Sequence, residues 1–199
     1  MRGACTICPL ILIRLKPNSQ GCIIPYYESL SRPDTVYRQS YLEALREFHA
    51  ELHNLEQDTV ALTHNFEGYV RHLQRQASDE QRDGFVPETF YWLIDDNIYI
   101  GRLSLRHHLN DRLLQFGGHI GYEIRPTKRR LGYGKAILRL GLAQAKRQGI
   151  TRALVTCDDD NIGSAKIIEA NGGILENTVL LSNRAVATRR YWIDVVPEK

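Results

Sequence analysis

Residues 128–135, Lys-Arg-Arg-Leu-Gly-Tyr-Gly-Lys, set three consecutive cations before two glycines that stand one residue apart. A long run with helical apolar spacing follows, so the glycines mark the mouth of a helix. The first turn of a helix carries N–H groups without internal partners, and its dipole adds about half a positive charge there. Glycine lets a ligand approach the main chain closely. Lys128, Arg129 and Arg130 add full charges, and a guanidinium can hold an oxyanion through two parallel bonds. Such a place suits phosphate oxygens.

Two common phosphate motifs do not fit. A P-loop needs GxxxxGK[ST], whereas Lys135 follows only Gly132-Tyr133-Gly134 and precedes Ala136. A dinucleotide fingerprint needs a third glycine at 137, which is Ile.

The flanking elements are legible. "HIGYEIR" (119–125) has strand character and stops at Pro126, which has no N–H to donate. A helix follows over about 132–148, with Leu138, Leu142 and Ala145 on one face and Gly149 as its stop. "RALVTC" (152–157) is a short buried strand. "IGSAKIIEAN" (162–171) is a helix capped by Asn161 and stopped at Asn171-Gly172. Upstream, Leu42, Leu45, Phe48 and Leu52 recur at helical spacing within 38–55, with Ser40 as N-cap, and Phe66, Val70 and Leu73 mark a second helix. "TFYWLI" and "IYIGRLSLRH" flank Asp95-Asp96-Asn97 as strand–turn–strand. "ESLSR" (28–32), "GILENTVL" and "AVATRRYWIDVV" supply a first and two last strands. The order predicts an α/β fold, a mixed sheet with helices on both faces, and a right-handed parallel crossover over 119–157.

The stretch Arg129-Arg130-Leu131-Gly132-Tyr133-Gly134 resembles the [Q/R]-x-x-G-x-[G/A] signature of the GNAT acetyltransferases. The likeness continues through "LVTCDDDNIGSAKIIEANGG", where Asn161 stands at the Asn of an N-x-x-[A/S] element, and ends with "RRYWI". It covers about residues 26–196 and leaves 1–25 as an N-terminal extension before a domain of 26–199. The resemblance implies a central, mostly antiparallel sheet of about six or seven strands and acetyl-CoA as co-substrate. It implies that main-chain N–H groups from Arg130 through Leu131, Gly132, Tyr133 and Gly134 to Lys135 hold the pyrophosphate. The strand edge at Ile124 and Arg125 would pair with the pantetheine arm, and Asn161 and Ser164 would touch that arm from the next helix. Lys128, Arg129 or Lys135 would meet the adenosine-side phosphates.

Acetyl transfer from a thioester to an amine makes three demands. The amine must lose a proton, the carbonyl oxygen must be stabilised, and the sulfur must carry or lose its charge. The resemblance places an N–H near Ile124 against the oxygen. His119 and Glu123 lie an even number apart on one strand, so they share a face and are the candidate bases. Relatives often carry a Tyr seven residues after the helix-starting Asn; here that residue is Ile168, so either Ser164, a water, Tyr122, Tyr133 or Tyr191 takes its place, or no acid is needed, since an alkyl thiol of pKa about 8.5 is a fair leaving group. The expected function is N-acetylation of a small-molecule or peptide amine. The competing expectation is a CoA-binding sensor or interaction module without turnover.

A net charge of +3 on 199 residues, with the basic residues densest at 128–130, argues against a nucleic-acid binder. At 43% apolar and 25% charged residues the chain has the composition of one soluble domain, expected in the cytoplasm as a monomer or homodimer, with no membrane span. Cys5 and Cys8 have zinc-like spacing but no second ligand pair, so no metal is expected. Asp79, Glu80, Asp83 and Glu88 are acids able to attract a cationic amine, and more simply a solvated loop.

Overall fold

Strand β3 (Glu88–Asp95) is buried along nearly its whole length, because the sheet it belongs to is covered on both faces. The computed structural model describes residues 12–17, 23–78 and 85–195. In these, β1 (Leu12–Pro17) and β2 (Ile23–Ser31) precede helices α1 (Arg38–Ala50), α2 (Thr59–His64) and α3 (Phe66–Arg75). Then come β3, β4 (Ile98–Arg106), α4 (Asp111–Gln115), β5 (Ile120–Ile124) and α5 (Tyr133–Arg147). The last elements are β6 (Arg152–Asp158), α6 (Ile162–Glu169), β7 (Ile174–Val179) and β8 (Thr188–Asp194). The eight strands form one sheet in the order β1-β2-β3-β4-β5-β6-β8-β7. All neighbours are antiparallel except β5 and β6, which are joined through α5 and run parallel. The mixed sheet and its two helical faces are as expected, with β1 as an added edge strand.

Alternation along the strands divides the core into two halves. On one face Ile120, Ile124, Val155, Tyr191 and Ile193 pack against Ile137, Leu138 and Leu140 of α5 and Ile168 of α6. On the other, Phe90, Trp92, Ile94 and Tyr99 pack against Tyr41, Ala44 and Leu45 of α1 and Phe66, Val70 and Leu73 of α3. This second half is aromatic, with Tyr41 stacked on Trp92 at 5.0 Å between centroids.

Several expectations need correction. Helix α1 ends at Ala50, so Leu52 leaves the apolar stripe; it is 81% exposed with a left-handed φ of 57°. Ser40 lies inside α1 rather than at its cap, and its Oγ instead accepts the amide of Tyr99 at 2.9 Å. Strand β2 begins at Ile23 rather than 28 and runs through residue 25. Cys5, Cys8, Cys22, Asp79, Glu80 and Asp83 lie outside the described residues.

Candidate active site

Parallel strands β5 and β6 pair only at Ile120↔Val155. Among the described residues, no ladder pair joins them beyond it toward their C-terminal ends, and this unladdered stretch between β5 and β6 is termed the wedge. The amide of Arg125 bonds to Ile100 O of β4 at 2.8 Å, so by alternation the amides of Tyr122 and Ile124 face the opposite edge, into the wedge. The Arg125 amide therefore points away from the wedge. The Arg125 guanidinium is also committed, to Glu47 at 2.7 Å and Glu43 at 3.7 Å on α1.

His119 closes the narrow end of the wedge. Its amide donates to Leu154 O at 2.7 Å, and its Nδ1 accepts the amide of Leu154 at 2.9 Å. Burial, helped by the nearby Arg106 guanidinium, lowers its pKa from 6.5 to about 4. The ring is thus neutral and spends a lone pair holding two strands together. The unfolded imidazole gains its proton below about pH 6.5, the folded one only below about 4. Stability is therefore expected to be full above pH 6.5 and to fall as pH drops to about 4, by up to about 1.4 kcal/mol per pH unit. Urea unfolding across that window checks this; a His119→Asn chain with an unchanged slope would show that another group is responsible.

Past Ile124 the chain turns at Pro126 and reaches the mouth of α5 with two left-handed residues, Arg130 (φ 62°) and Gly132 (φ 90°). Among the described residues, the amides of Arg130, Gly132 and Gly134 have no hydrogen-bond acceptor. The Lys135 amide does: it bonds to Gly132 O at 3.1 Å and is engaged within the turn itself. Leu131, Arg130 and Lys135 have exposed side chains, whereas the Tyr133 ring is buried and its hydroxyl donates to Asp95. That bond ties the start of α5 to the end of β3. Gly134 is small for a packing reason, since a Cβ there would lie 2.4 Å from Ile167 Cδ1 of α6. Arg129 reaches back, with Nε donating to Ile124 O at 3.1 Å and Nη1 to Glu51 at 2.7 Å.

Residues 38–174, which hold the wedge, the glycine turn and α6, match the family model "Acetyltransferase (GNAT) domain". The chain belongs to the GNAT acetyltransferases. Solved GNAT structures share the fold at low identity. The microcin C7 self-immunity acetyltransferase MccE, in complex with acetyl-CoA and AMP, has a TM-score of 0.62 at 12% identity, over 84% of this chain and 92% of that one. RimL, a ribosomal L7/L12 α-N-protein acetyltransferase in complex with coenzyme A, has 0.60 at 17%, over 85% and 96%. A Salmonella typhimurium acetyltransferase that modifies the N-terminal serine of L7/L12 has 0.58 at 18%, over 84% and 94%. No curated protein matches the sequence.

On the α5 side of this GNAT wedge, the Tyr122 hydroxyl and Ser164 Oγ lie 2.9 Å apart, linking β5 to α6. Burial raises the Tyr122 pKa, despite the Ser164 bond, so the phenol stays protonated. Asn161 caps α6 by accepting the Ser164 amide at 3.0 Å. Ile168 is fully buried in the core and does not reach the wedge surface. Cys157 is buried on the same side, and burial raises its thiol to about 11.

On the opposite side, Glu123 meets residues that the sequence alone did not single out. Arg102 Nε of β4 lies 2.7 Å from its Oε1, and Asn54 Nδ2 lies 3.3 and 3.2 Å from its two oxygens. His53 Nε2 lies 3.4 Å from Oε2. His53 and Asn54 are 70 and 69 residues away in the chain, so only their left-handed loop after α1 brings them here. Among the described residues, no His/Cys/Asp/Glu group could hold a metal ion, and no helix is long and apolar enough to cross a membrane.

Proposed function

We propose that this GNAT domain transfers the acetyl group of acetyl-CoA to a primary amine of a small molecule or peptide, by direct attack of the amine on the thioester. The observation that carries the proposal is a parallel strand pair held by one register position, with unpaired amides at the adjoining helix mouth. A pantetheine arm is an extended chain with two amide groups, and the free edge of β5 pairs with it as a strand would. The amides of Arg130, Gly132 and Gly134, next to the start of α5, receive the diphosphate, with Lys128, Arg129, Arg130 and Lys135 as surrounding charge. Leu131 and Tyr133 shape the turn.

The thioester carbonyl then lies against the Ile124 amide, which stabilises the negative oxygen. Tyr122 and Ser164 face the departing sulfur. A phenol whose pKa lies above its ordinary value donates a hydrogen bond to a thiolate but does not surrender its proton to it. The pair thereby stabilises the departing thiolate without protonating it. Proton removal belongs to the Glu123 side, where polar groups gather; His119 serves as a clasp and not as a base.

The test is free-thiol release from acetyl-CoA across a panel of α-amines, lysine peptides and small polyamines, beside calorimetric binding of acetyl-CoA. Turnover with at least one class of amine is expected. Tight acetyl-CoA binding with no thiol released from any amine supports the sensor reading instead. Absence of acetyl-CoA binding overturns both.

A further inference from the structure

We propose that His53 is the base that takes the proton of the acceptor amine, with Glu123 as the group that orients it. The inference rests on the acetyl-transfer reading above and adds a residue to it.

Three nitrogens lie against the Glu123 carboxylate: Asn54 Nδ2 donates to both oxygens, Arg102 Nε is 2.7 Å from Oε1, and His53 Nε2 is 3.4 Å from Oε2. Its side chain is only 16% exposed. An amine that came to this carboxylate would have to displace donors already in place. The His53 side chain, by contrast, is 56% exposed. Its Nε2 faces Glu123, and its Nδ1 has no partner among the described residues. A carboxylate on one nitrogen fixes the tautomer and leaves the other nitrogen as a basic lone pair.

The loop is built to hold this arrangement. Leu52 (φ 57°) and Asn54 (φ 55°) are both left-handed, and asparagine is among the residues that tolerate this best. The Asn54 carbonyl lies 3.0 Å from His49 Nε2 of α1, which pins the turn. The His53 ring packs on Phe48 at 5.7 Å between centroids. Arg129 covers the same Phe48 ring at 6.0 Å while it bonds Glu51, so the loop carrying His53 is fastened to the turn before α5. The base and the diphosphate cradle are thus set by neighbouring contacts.

In the reaction, the amine nitrogen forms a bond to the thioester carbon and passes a proton to His53 Nδ1. The C–S bond then breaks, and the imidazolium returns that proton to the sulfur, directly or through water. The products are the N-acetyl amide and free thiol, and His53 ends neutral. Glu123 is the charged group against the ring; Arg102 from β4 and Tyr69 from α3 act on Glu123 in turn, His49 of α1 holds the Asn54 carbonyl, and the Arg129–Glu51 pair lies across the shared Phe48 ring.

Two measurements on the full chain decide the matter. With an amine that the wild type acetylates, His53→Asn is expected to lower kcat/KM by ~10²–10³-fold and to erase the acid-side inflection of its pH profile. The KM for acetyl-CoA should stay within about twofold, because the diphosphate contacts are untouched. Separately, ¹⁵N NMR of the wild type is expected to find the Nε2–H tautomer of His53, and Glu123→Gln should change its tautomer balance. A His53→Asn enzyme within about threefold of wild type, with its pH inflection retained, overturns this proposal and leaves acetyl transfer standing. A predominant Nδ1–H tautomer that is indifferent to Glu123→Gln also overturns it, whatever the activity. A wild type that releases no thiol with any amine overturns both.

Discussion

Gly132→Val is expected to weaken acetyl-CoA binding by at least ~100-fold, which is about 2.7 kcal/mol. Gly132 has φ 90° and directly precedes α5. A β-branched residue is a steric outlier at positive φ, and holding it there costs about 1–3 kcal/mol. The turn would relax by rotating its peptide planes, and the amides of Arg130, Gly132 and Gly134 would no longer converge. Each lost hydrogen bond to a charged oxygen is worth about 1.5–3 kcal/mol, so the loss of two suffices. Gly134 is a poorer probe, because its missing Cβ makes room for Ile167 and substitution would push α6 away. Gly149 supplies the control. It follows the other end of α5 with φ 78° and nothing within 4 Å of an added Cβ. Gly149→Val therefore suffers similar backbone strain far from the cradle. Calorimetry with acetyl-CoA and thermal unfolding of both chains separate the effects: similar losses of Tm, with affinity lost only at Gly132. Equal affinity in the two variants would remove the helix mouth from the binding site.

The part of this site that the sequence displayed is the part made by local chain. The glycine turn and α5 were expected at about 132–148 and occur at Gly132 and 133–147, because the cations, glycines and apolar spacing are contiguous. Helix α6 and its Asn161 cap were legible for the same reason. Helices α2 and α4 were not, since they have six and five residues, bury none of them, and so carry no apolar period. The shared face of His119 and Glu123 followed from even spacing, yet their different fates did not. His119 is settled by Leu154, 35 residues on, and Glu123 by Asn54, 69 residues back. Arg125 shows the opposite limit. It was expected as the last residue of the strand and lies just past the end of β5 at Ile124; alternation turns its amide to β4, and two glutamates of α1 take its side chain. A glutamate one helix turn from another, as Glu43 and Glu47 are, was the available sign that α1 awaits a cation.

The wall that carries His53 depends on the aromatic half of the core, and Trp92→Ala is expected to cost about 3–5 kcal/mol of stability. Trp92 is fully buried on β3, stacked on Tyr41 of α1 at 5.0 Å and edge-on to Tyr99 of β4 at 5.5 Å. It also meets Phe66 of α3 at 6.2 Å, so one ring joins two helices to the sheet. Removing it leaves a cavity that fixed backbones on both sides cannot fill. Its Nε1 is buried without a hydrogen-bond partner, which is a standing cost of about 1–3 kcal/mol. Trp92→Phe keeps most of the stacking and removes that N–H, so it should cost no more than about 1–2 kcal/mol. Urea unfolding followed by far-UV circular dichroism gives both numbers. If the two variants lose the same stability, the indole N–H has a partner that matters more than the ring. If Trp92→Ala alone is strongly destabilised, α1 and α3 are held by packing. In that case the same variant, assayed well below its melting temperature, should lose turnover before it loses acetyl-CoA affinity, because the helices shape the His53 wall while the glycine turn rests on α5.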